Sequence, residues 1–384
     1  MRILIVSRGY PTDKYPLNGI FEMDQAKALY EAGHEVILAV IDLRSIRRIR
    51  KYGFQSKIIE GIKVEEISIP LGRIPRALRL RIGKDAFKVL LKKIINRYGY
   101  PDIVHSHFLE ISYMASKSVV DKSLPFVVTE HLSFMNQENV IPIYTKIAKI
   151  TYSRAKRVTA PSRNFAAMLQ RLYSCKVFAI PNMVDVKNFR YEKNFASNTD
   201  TFQFVCVANL IKRKKVDLLL KAFMEVFDKE QKVQLIVFGY GPEKKYLERT
   251  IFENGRENQI FLMGRQTRDV IAKSYEKANC FVLVSEVEPF GVVYIEAMAA
   301  GLPVIASDCD GPADIVDDSN GLLVKKNSVE DLQNALKYMY QNIGKFSRQD
   351  IAKEAVSRYA PEAIAFQLEE LYKEVISLQV KNQD

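Results

Sequence analysis

Glu288-Pro289-Phe290-Gly291-Val292-Val293-Tyr294-Ile295-Glu296, continuing as Ala297-Met298-Ala299-Ala300-Gly301-Leu302-Pro303-Val304-Ile305, decides the fold of this 384-residue chain. The apolar run at 281–284 reads as a buried strand, 285–291 as its exit loop and 292–300 as a helix closed by Gly301. A second apolar run at 304–306 comes next, so strand, loop, helix and strand succeed one another as in a doubly wound parallel sheet. Glu288 then falls on the loop and Glu296 on the helix, eight positions on. Free backbone N–H groups at the helix start face the same crevice and attract phosphate. Two arbitrary carboxylates would ordinarily be solvated, but this spacing, turn chemistry and small-residue helix point to a binding site.

The same alternation extends in both directions. Strands are expected at 2–7, 35–41, 102–105, 126–129, 157–160 and 176–180, with helices at 20–32, 87–97, 111–120, 146–155 and 164–172. The polar stretch 187–200 lacks periodicity and reads as a linker. Beyond it the pattern restarts, with strands at 202–208, 234–238 and 260–261 and helices at 217–228, 243–254, 269–277 and 329–342. A last helix is expected at 361–378. The length suits two domains of similar size better than one core.

A composition of 48% hydrophobic and 27% charged residues excludes fibrous and disordered classes. Cys175, Cys206, Cys280 and Cys309 are scattered without metal-ligand spacing and read as reduced residues in or near the core. The start is too short in apolar residues for a signal peptide and no run approaches 18, so a cytoplasmic protein without a span is expected. The net charge of +12 is uneven: residues 1–190 carry 32 Lys/Arg against 16 Asp/Glu, leaving 25 against 29 for the rest. Residues 44–97 alone hold 16 basic and 4 acidic side chains, interspersed with Ile46, Ile49, Ile74, Leu78, Leu80, Ile82, Phe87, Leu90 and Leu91. That segment reads as a basic amphipathic surface for anionic lipid, for nucleic acid, or simply for solvent. No helix-turn-helix, zinc-finger or RNP-like pattern accompanies the charge.

Segment 288–296 resembles the E-x7-E motif of retaining nucleotide-sugar glycosyltransferases of family 4. The resemblance implies the GT-B fold: two Rossmann-like doubly wound α/β domains facing a central cleft, with a C-terminal helix crossing back to the N-terminal domain. It also implies that Glu288 contacts the donor sugar, Glu296 holds the ribose, and the backbone of Phe290, Gly291 and Val292 meets the diphosphate. Other segments extend the likeness from about residue 2 to 324. Asn209-Leu210-Ile211-Lys212-Arg213-Lys214 is similar to G-R-L-x-x-x-K, so Lys214 matches the diphosphate lysine. Asn209 stands where an arginine is usual, which costs a bidentate fork that Arg213 or Lys212 would have to replace. Gly239-Tyr240-Gly241-Pro242-Glu243 matches a G-x-G-P-E segment, and Arg265 falls where the base packs. Pro181-Asn182-Met183-Val184-Asp185 is similar to P-N-G-V-D, a turn before the hinge with no catalytic role.

In the first half, the loop at 8–19, with Pro11, Pro16, Asn18 and Gly19, precedes a helix, and Gly19 reads either as a plain turn glycine or as an acceptor-side position where backbone approaches a phosphate or the acceptor. His105-Ser106-His107 and Glu130-His131 come after expected strands. The resemblance puts His107 near the donor sugar and His131 on the acceptor side, while His105 also reads as a satisfied core histidine. No cysteine or carboxylate set completes a metal site around them.

The resemblance further implies an N-terminal acceptor-binding domain over 1–188, a donor-binding domain over 201–362 and a returning helix over 363–384. The expected reaction is transfer from a nucleotide-diphosphate sugar, a UDP-sugar, to a glycan hydroxyl with retention of configuration. No metal is implied, because Lys214 and a helix start stabilise the leaving diphosphate. The acceptor is expected to be polyprenyl-diphosphate-linked, in cell-surface polysaccharide synthesis at the inner face of the membrane, with the basic first domain on anionic lipid and no nucleic acid bound. The rival readings are a nucleotide-sugar 2-epimerase of the same fold and a basic nucleic-acid-binding protein.

Overall fold

The computed structural model describes residues 1–380 apart from 16–17, 49, 136–139 and 193–199. Pro16, Ile49 and parts of the expected linker and terminal-helix segment lie outside the described residues. The chain divides into two compact units, Met1–Met183 with Pro361–Asp384, and Val184–Ala360.

The first unit is built on β1 (Arg2–Ser7), α1 (Ile20–Glu31), β2 (Glu35–Asp42), β3 (Gly53–Ile59), β4 (Ile62–Ser68), α2 (Arg76–Tyr98), β5 (Ile103–His107) and α3 (Leu109–Val120). β6 (Phe126–Thr129), α4 (Pro142–Arg154), β7 (Arg157–Ala160), α5 (Arg163–Tyr173) and β8 (Val177–Ala179) complete its sheet and cover. Its eight strands lie in the order β3-β4-β2-β1-β5-β6-β7-β8. All pairs are parallel except β3 with β4. The direction of winding reverses between β1 and β5, and there a crevice opens at the carboxyl ends.

The second unit comprises β9 (Phe202–Val207), α6 (Val216–Val226), β10 (Val233–Phe238), α7 (Lys244–Glu253), β11 (Ile260–Gly264), α8 (Arg268–Lys277) and β12 (Cys280–Leu283). It continues with α9 (Val292–Ala299), β13 (Val304–Ser307), α10 (Pro312–Ile315), β14 (Gly321–Val324), α11 (Val329–Asn342) and α12 (Arg348–Tyr359). The sheet order is β11-β10-β9-β12-β13-β14, parallel throughout, with the switch between β9 and β12. The strands are apolar on both faces because helices cover both, as the uninterrupted burial of Phe204–Cys206 and Cys280–Leu283 shows.

The last helix, α13 (Pro361–Val380), belongs to the first unit. Ile364, Ala365, Leu368, Leu371, Tyr372 and Val375 form one apolar face that packs with Met23, Ala26 and Leu29 of α1 and with Ile3 and Ile5 of β1.

The basic segment 44–97 differs from its sequence reading. It carries two strands and a 23-residue helix rather than a surface with one short helix. Leu80, Phe87, Leu90 and Leu91 are core residues, buried where α2 lies on the sheet. Much of the charge is paired internally: Asp42 with Arg44 and Arg50, Glu66 with Lys57, Glu65 with Arg97, and Glu110 with Arg76 and Arg79. The outer side of α2 keeps Arg81, Lys88, Lys92 and Lys93 exposed beside Leu78 and Val89. No helix among the described residues is long and apolar enough to cross a membrane.

Candidate active site

At the switch point of the second sheet, the exits of β9 and β12 are strapped together. The Glu286 N–H donates to the Arg213 carbonyl (2.8 Å) and Arg213 Nη1 to the Val287 carbonyl (3.2 Å). Between these straps Lys214 Nζ pairs with Glu288 Oε2, and the lysine is buried. Burying two charges is costly unless each answers the other, so the pair holds both side chains in place. Gly311 N–H donates to the Glu288 carbonyl (2.9 Å) and steadies the loop from the β13 side.

Gly291 turns this loop into α9. Its φ of +91° is one that L side chains rarely adopt, and a Cβ there would come within 2.4 Å of the Tyr294 ring and 3.1 Å of Glu288 Cγ. Glycine is thus required both for the turn and for the carboxylate beside it. No side chain caps α9, and at its start the Tyr294 N–H donates to the Gly291 carbonyl (3.0 Å). Phe290 is buried against the Tyr359 ring, and Tyr294 Oη donates to the Leu283 carbonyl (2.7 Å). Val292 is half-buried.

Glu296 lies one helical step further and is buried. Its Oε1 is 3.8 Å from Arg268 Nη2, and Arg268 also reaches Asp185 at 3.4 Å. Sequence reasoning misses Arg268, which starts α8 without any motif around it. Asp185 itself forms the expected Asx turn, accepting from the Lys187 and Asn188 N–H groups. Gly241 lies against the β9 exit, where a Cβ would meet the Leu210 carbonyl at 2.2 Å. Asn209 and Arg265 are exposed on the β9 and β11 exits.

In the first unit the structure moves His107. It lies within β5 beside His105 rather than after the strand, because β5 extends two residues beyond its expected end. His105 is a structural residue: Nδ1 meets Tyr372 Oη (2.6 Å) and Gln25 Nε2 (2.8 Å), and Nε2 meets Thr129 Oγ1 (2.6 Å). Those contacts tie α13 to α1 and the sheet.

His107 is also buried and stacks on His105, with ring centres 4.5 Å apart. Its Nδ1 shares a hydrogen bond of 3.0 Å with His131 Nε2. Burial holds the His107 imidazole down at a pKa of about 3, and drives His131 well below its usual range, so both rings are neutral at pH 7. His107 Nε2 and His131 Nδ1 are buried without a hydrogen-bond partner among the described residues.

Glu130, also missed by sequence reasoning, orients this loop. Oε1 accepts from the His131 and Leu132 N–H groups (2.9 Å each) and Oε2 from Tyr152 Oη (2.9 Å). Complete burial pushes its carboxyl up to about 7. Gly19 precedes α1 with φ +66°, and a Cβ there would overlap the Gly9 carbonyl at 2.0 Å, so the loop closes on itself backbone to backbone. Among the described residues no three His, Cys, Asp or Glu side chains converge as a metal ligand set.

The description "Glycosyltransferase Family 4" matches residues 23–188 and "Glycosyl transferases group 1" matches 188–358. The chain belongs to the family 4 glycosyltransferases. TuaC of Bacillus subtilis, a putative teichuronic acid biosynthesis glycosyltransferase by name, is 26% identical over 369 residues, 90% of this chain and 91% of its own. The alpha-monoglucosyldiacylglycerol synthase of Acholeplasma laidlawii is 26% identical over 306 residues, 72% of this chain and 76% of its own. Among solved structures, sucrose-phosphate synthase from Thermosynechococcus elongatus superposes with a TM-score of 0.80 at 22% identity, covering 98% of this chain and 100% of that one. That likeness establishes the GT-B fold of this glycosyltransferase.

Proposed function

We propose that this glycosyltransferase moves a sugar from a nucleotide-diphosphate sugar, a UDP-sugar, to a hydroxyl of a polyprenyl-diphosphate-linked glycan in cell-surface polysaccharide synthesis. The observation that carries the donor assignment is the meeting of Lys214 with Glu288 beside the uncapped start of α9, at a sheet switch point. Lys214 and the N–H groups after Gly291 hold the diphosphate and stabilise it as it leaves. Glu288 takes the sugar hydroxyls and Glu296 the ribose, with Arg213, Gly241, Arg265 and Asn209 around them. The acceptor hydroxyl attacks the anomeric carbon on the face the diphosphate leaves. The bond to the diphosphate oxygen breaks as the new C–O bond forms, and that oxygen takes the hydroxyl proton, so configuration is retained without a metal ion. His107, His131 and Gly19 form the acceptor side in the first unit.

A lipid-borne acceptor is supported by the exposed basic side of α2 and by the Acholeplasma relative, whose name specifies a diacylglycerol product. The enzyme then works on the inner face of the membrane. UDP-, GDP- and dTDP-sugars should be screened for thermal stabilisation, with UDP-sugars expected to give the largest shift. Sugar transfer is expected only when acceptor is added and is unchanged by a chelator. Epimerised sugar from donor alone would instead establish the epimerase.

A further inference from the structure

Three exits at the carboxyl end of the first unit's sheet meet in a cluster of arginines. Tyr15 comes from the loop after β1, Arg44, Arg47 and Arg48 from the loop after β2, and Ser68 ends β4. The Asp42 carboxylate accepts from Nε and Nη2 of Arg44 (2.9 and 2.8 Å) and from Nη2 of Arg50 (3.1 Å). Arg50 also donates to Ser68 Oγ (2.9 Å) and to the carbonyls of Arg44 and Arg48 (3.0 and 2.9 Å). The Ile46 N–H donates to the Leu71 carbonyl (3.2 Å), which ties the β2 exit to the β4 exit. Arg44 and Arg50 are therefore fixed, not solvated.

Two features remain unanswered by these contacts. Arg44 Nη1 is buried and has no hydrogen-bond partner among the described residues. The guanidinium groups of Arg44 and Arg48 lie 5.0 and 4.8 Å from the centre of the Tyr15 ring, and Arg48 is exposed. Residues 42–50 carry four arginines besides Asp42, the one acid, and among the described residues no carboxylate pairs with Arg47 or Arg48.

We infer that Arg44, Arg48 and Tyr15 form a subsite for a phosphate group carried by the acceptor. The inference rests on the proposed lipid-linked acceptor, and it places that phosphate at the exit of β2, the strand beside β1. A phosphate oxygen supplies Arg44 Nη1 with the acceptor it lacks, and the planar guanidinium forks match phosphate geometry. Both guanidinium groups lie within cation–π reach of the Tyr15 ring, which offsets their mutual repulsion.

The test is calorimetric titration of the full chain, with UDP present in excess to occupy the donor pocket. Inorganic diphosphate, farnesyl diphosphate and farnesol are the probes. Both diphosphates are expected to bind and farnesol is not. Arg48→Gln should weaken both about tenfold, the loss expected for one hydrogen bond to a charged group. Lys117→Gln, which removes the same charge from the exposed side of α3, should leave both affinities unchanged. Equal weakening by the two substitutions would reduce the cluster to diffuse charge and overturn the subsite, as would an absence of diphosphate binding. UDP affinity, measured separately, should be the same in Arg48→Gln and wild type. Failure of wild type to bind UDP would defeat the donor assignment while leaving the Arg48 against Lys117 comparison readable.

Discussion

The two sheets of this molecule carry different kinds of side chain at their strand exits. Between β9 and β12 stand a buried ion pair, Lys214 with Glu288, and a helix start without a cap. At the exits of β5 and β6 stand His107 and His131, whose burial keeps them uncharged. On the proposed function, the ion pair stands where the diphosphate is held and leaves, and the neutral imidazoles stand where the acceptor hydroxyl is handled. The contrast supports the proposed placing of donor and acceptor on different units.

Removing the lysine should have the largest effect. Lys214→Ala is expected to lower kcat by roughly 10² to 10³, as loss of one preorganised charge partner does. It should also destabilise the fold by about 3 kcal/mol, because Glu288 is left half-buried and without its cation. Lys214→Ala with Glu288→Ala should regain stability in urea titrations without regaining activity. Recovery of neither, or of both, would break the assignment of separate structural and catalytic roles.

The neutral cluster makes its own prediction through pH. The Glu130 carboxyl has its pKa raised from 4.5 to about 7, so between those values the unfolded chain releases a proton that the folded chain keeps. Stability from this group is full below pH 4.5 and falls by roughly 3 kcal/mol as pH rises through 7. His107 has the opposite sign: its pKa is lowered from 6.5 to about 3, so its contribution is full above 6.5 and is lost on acidification. Denaturant unfolding at pH 5 and 7.5 should show Glu130→Gln gaining on wild type at the higher pH. A flat difference would show that the carboxyl is not buried as described.

Gly291→Ala should cost about 1 to 3 kcal/mol in stability, the range for backbone strain of this kind, and weaken nucleotide binding through the displaced Glu288. A variant with unchanged nucleotide affinity would separate the turn from the pocket. The smallest effect is expected at α2. Each of Lys88→Gln, Lys92→Gln and Lys93→Gln should weaken binding to phosphatidylglycerol-containing vesicles by about 1 kcal/mol. Arg50→Gln, whose partner is Asp42, should act on folding instead. If anionic and neutral vesicles bind alike at low salt, the membrane assignment falls.

Most of both sheets is legible in the sequence because their strands are short apolar runs flanked by turn residues, as at 2–7 and 202–208. β3 and β4 are not, since the edge strand alternates Phe54, Ser56 and Ile58 with Gln55 and Lys57, and β4 carries Lys63, Glu65 and Glu66. Their charges are answered across the hairpin, as by Lys57 and Ser56, and by partners distant in sequence, such as Tyr10, Arg97 and Tyr98. At the candidate site, Lys214, Glu288, Gly291 and Glu296 stand out by motif, spacing and turn chemistry. Arg268, Glu130 and the His105–Tyr372 lock do not, because each acquires its role from a contact made across elements. The strand at 102–105 reads two residues short because Ser106 and His107 look polar, yet hydrogen bonding and stacking let β5 bury them.

The measurement that bears most directly on the donor pocket is the Glu296→Ala substitution, assayed for sugar transfer and for thermal stabilisation by the UDP-sugar. Both are expected to be lost while the variant keeps its fold by circular dichroism. Full transfer by Glu296→Ala would contradict the pocket and with it the division of labour between the two units.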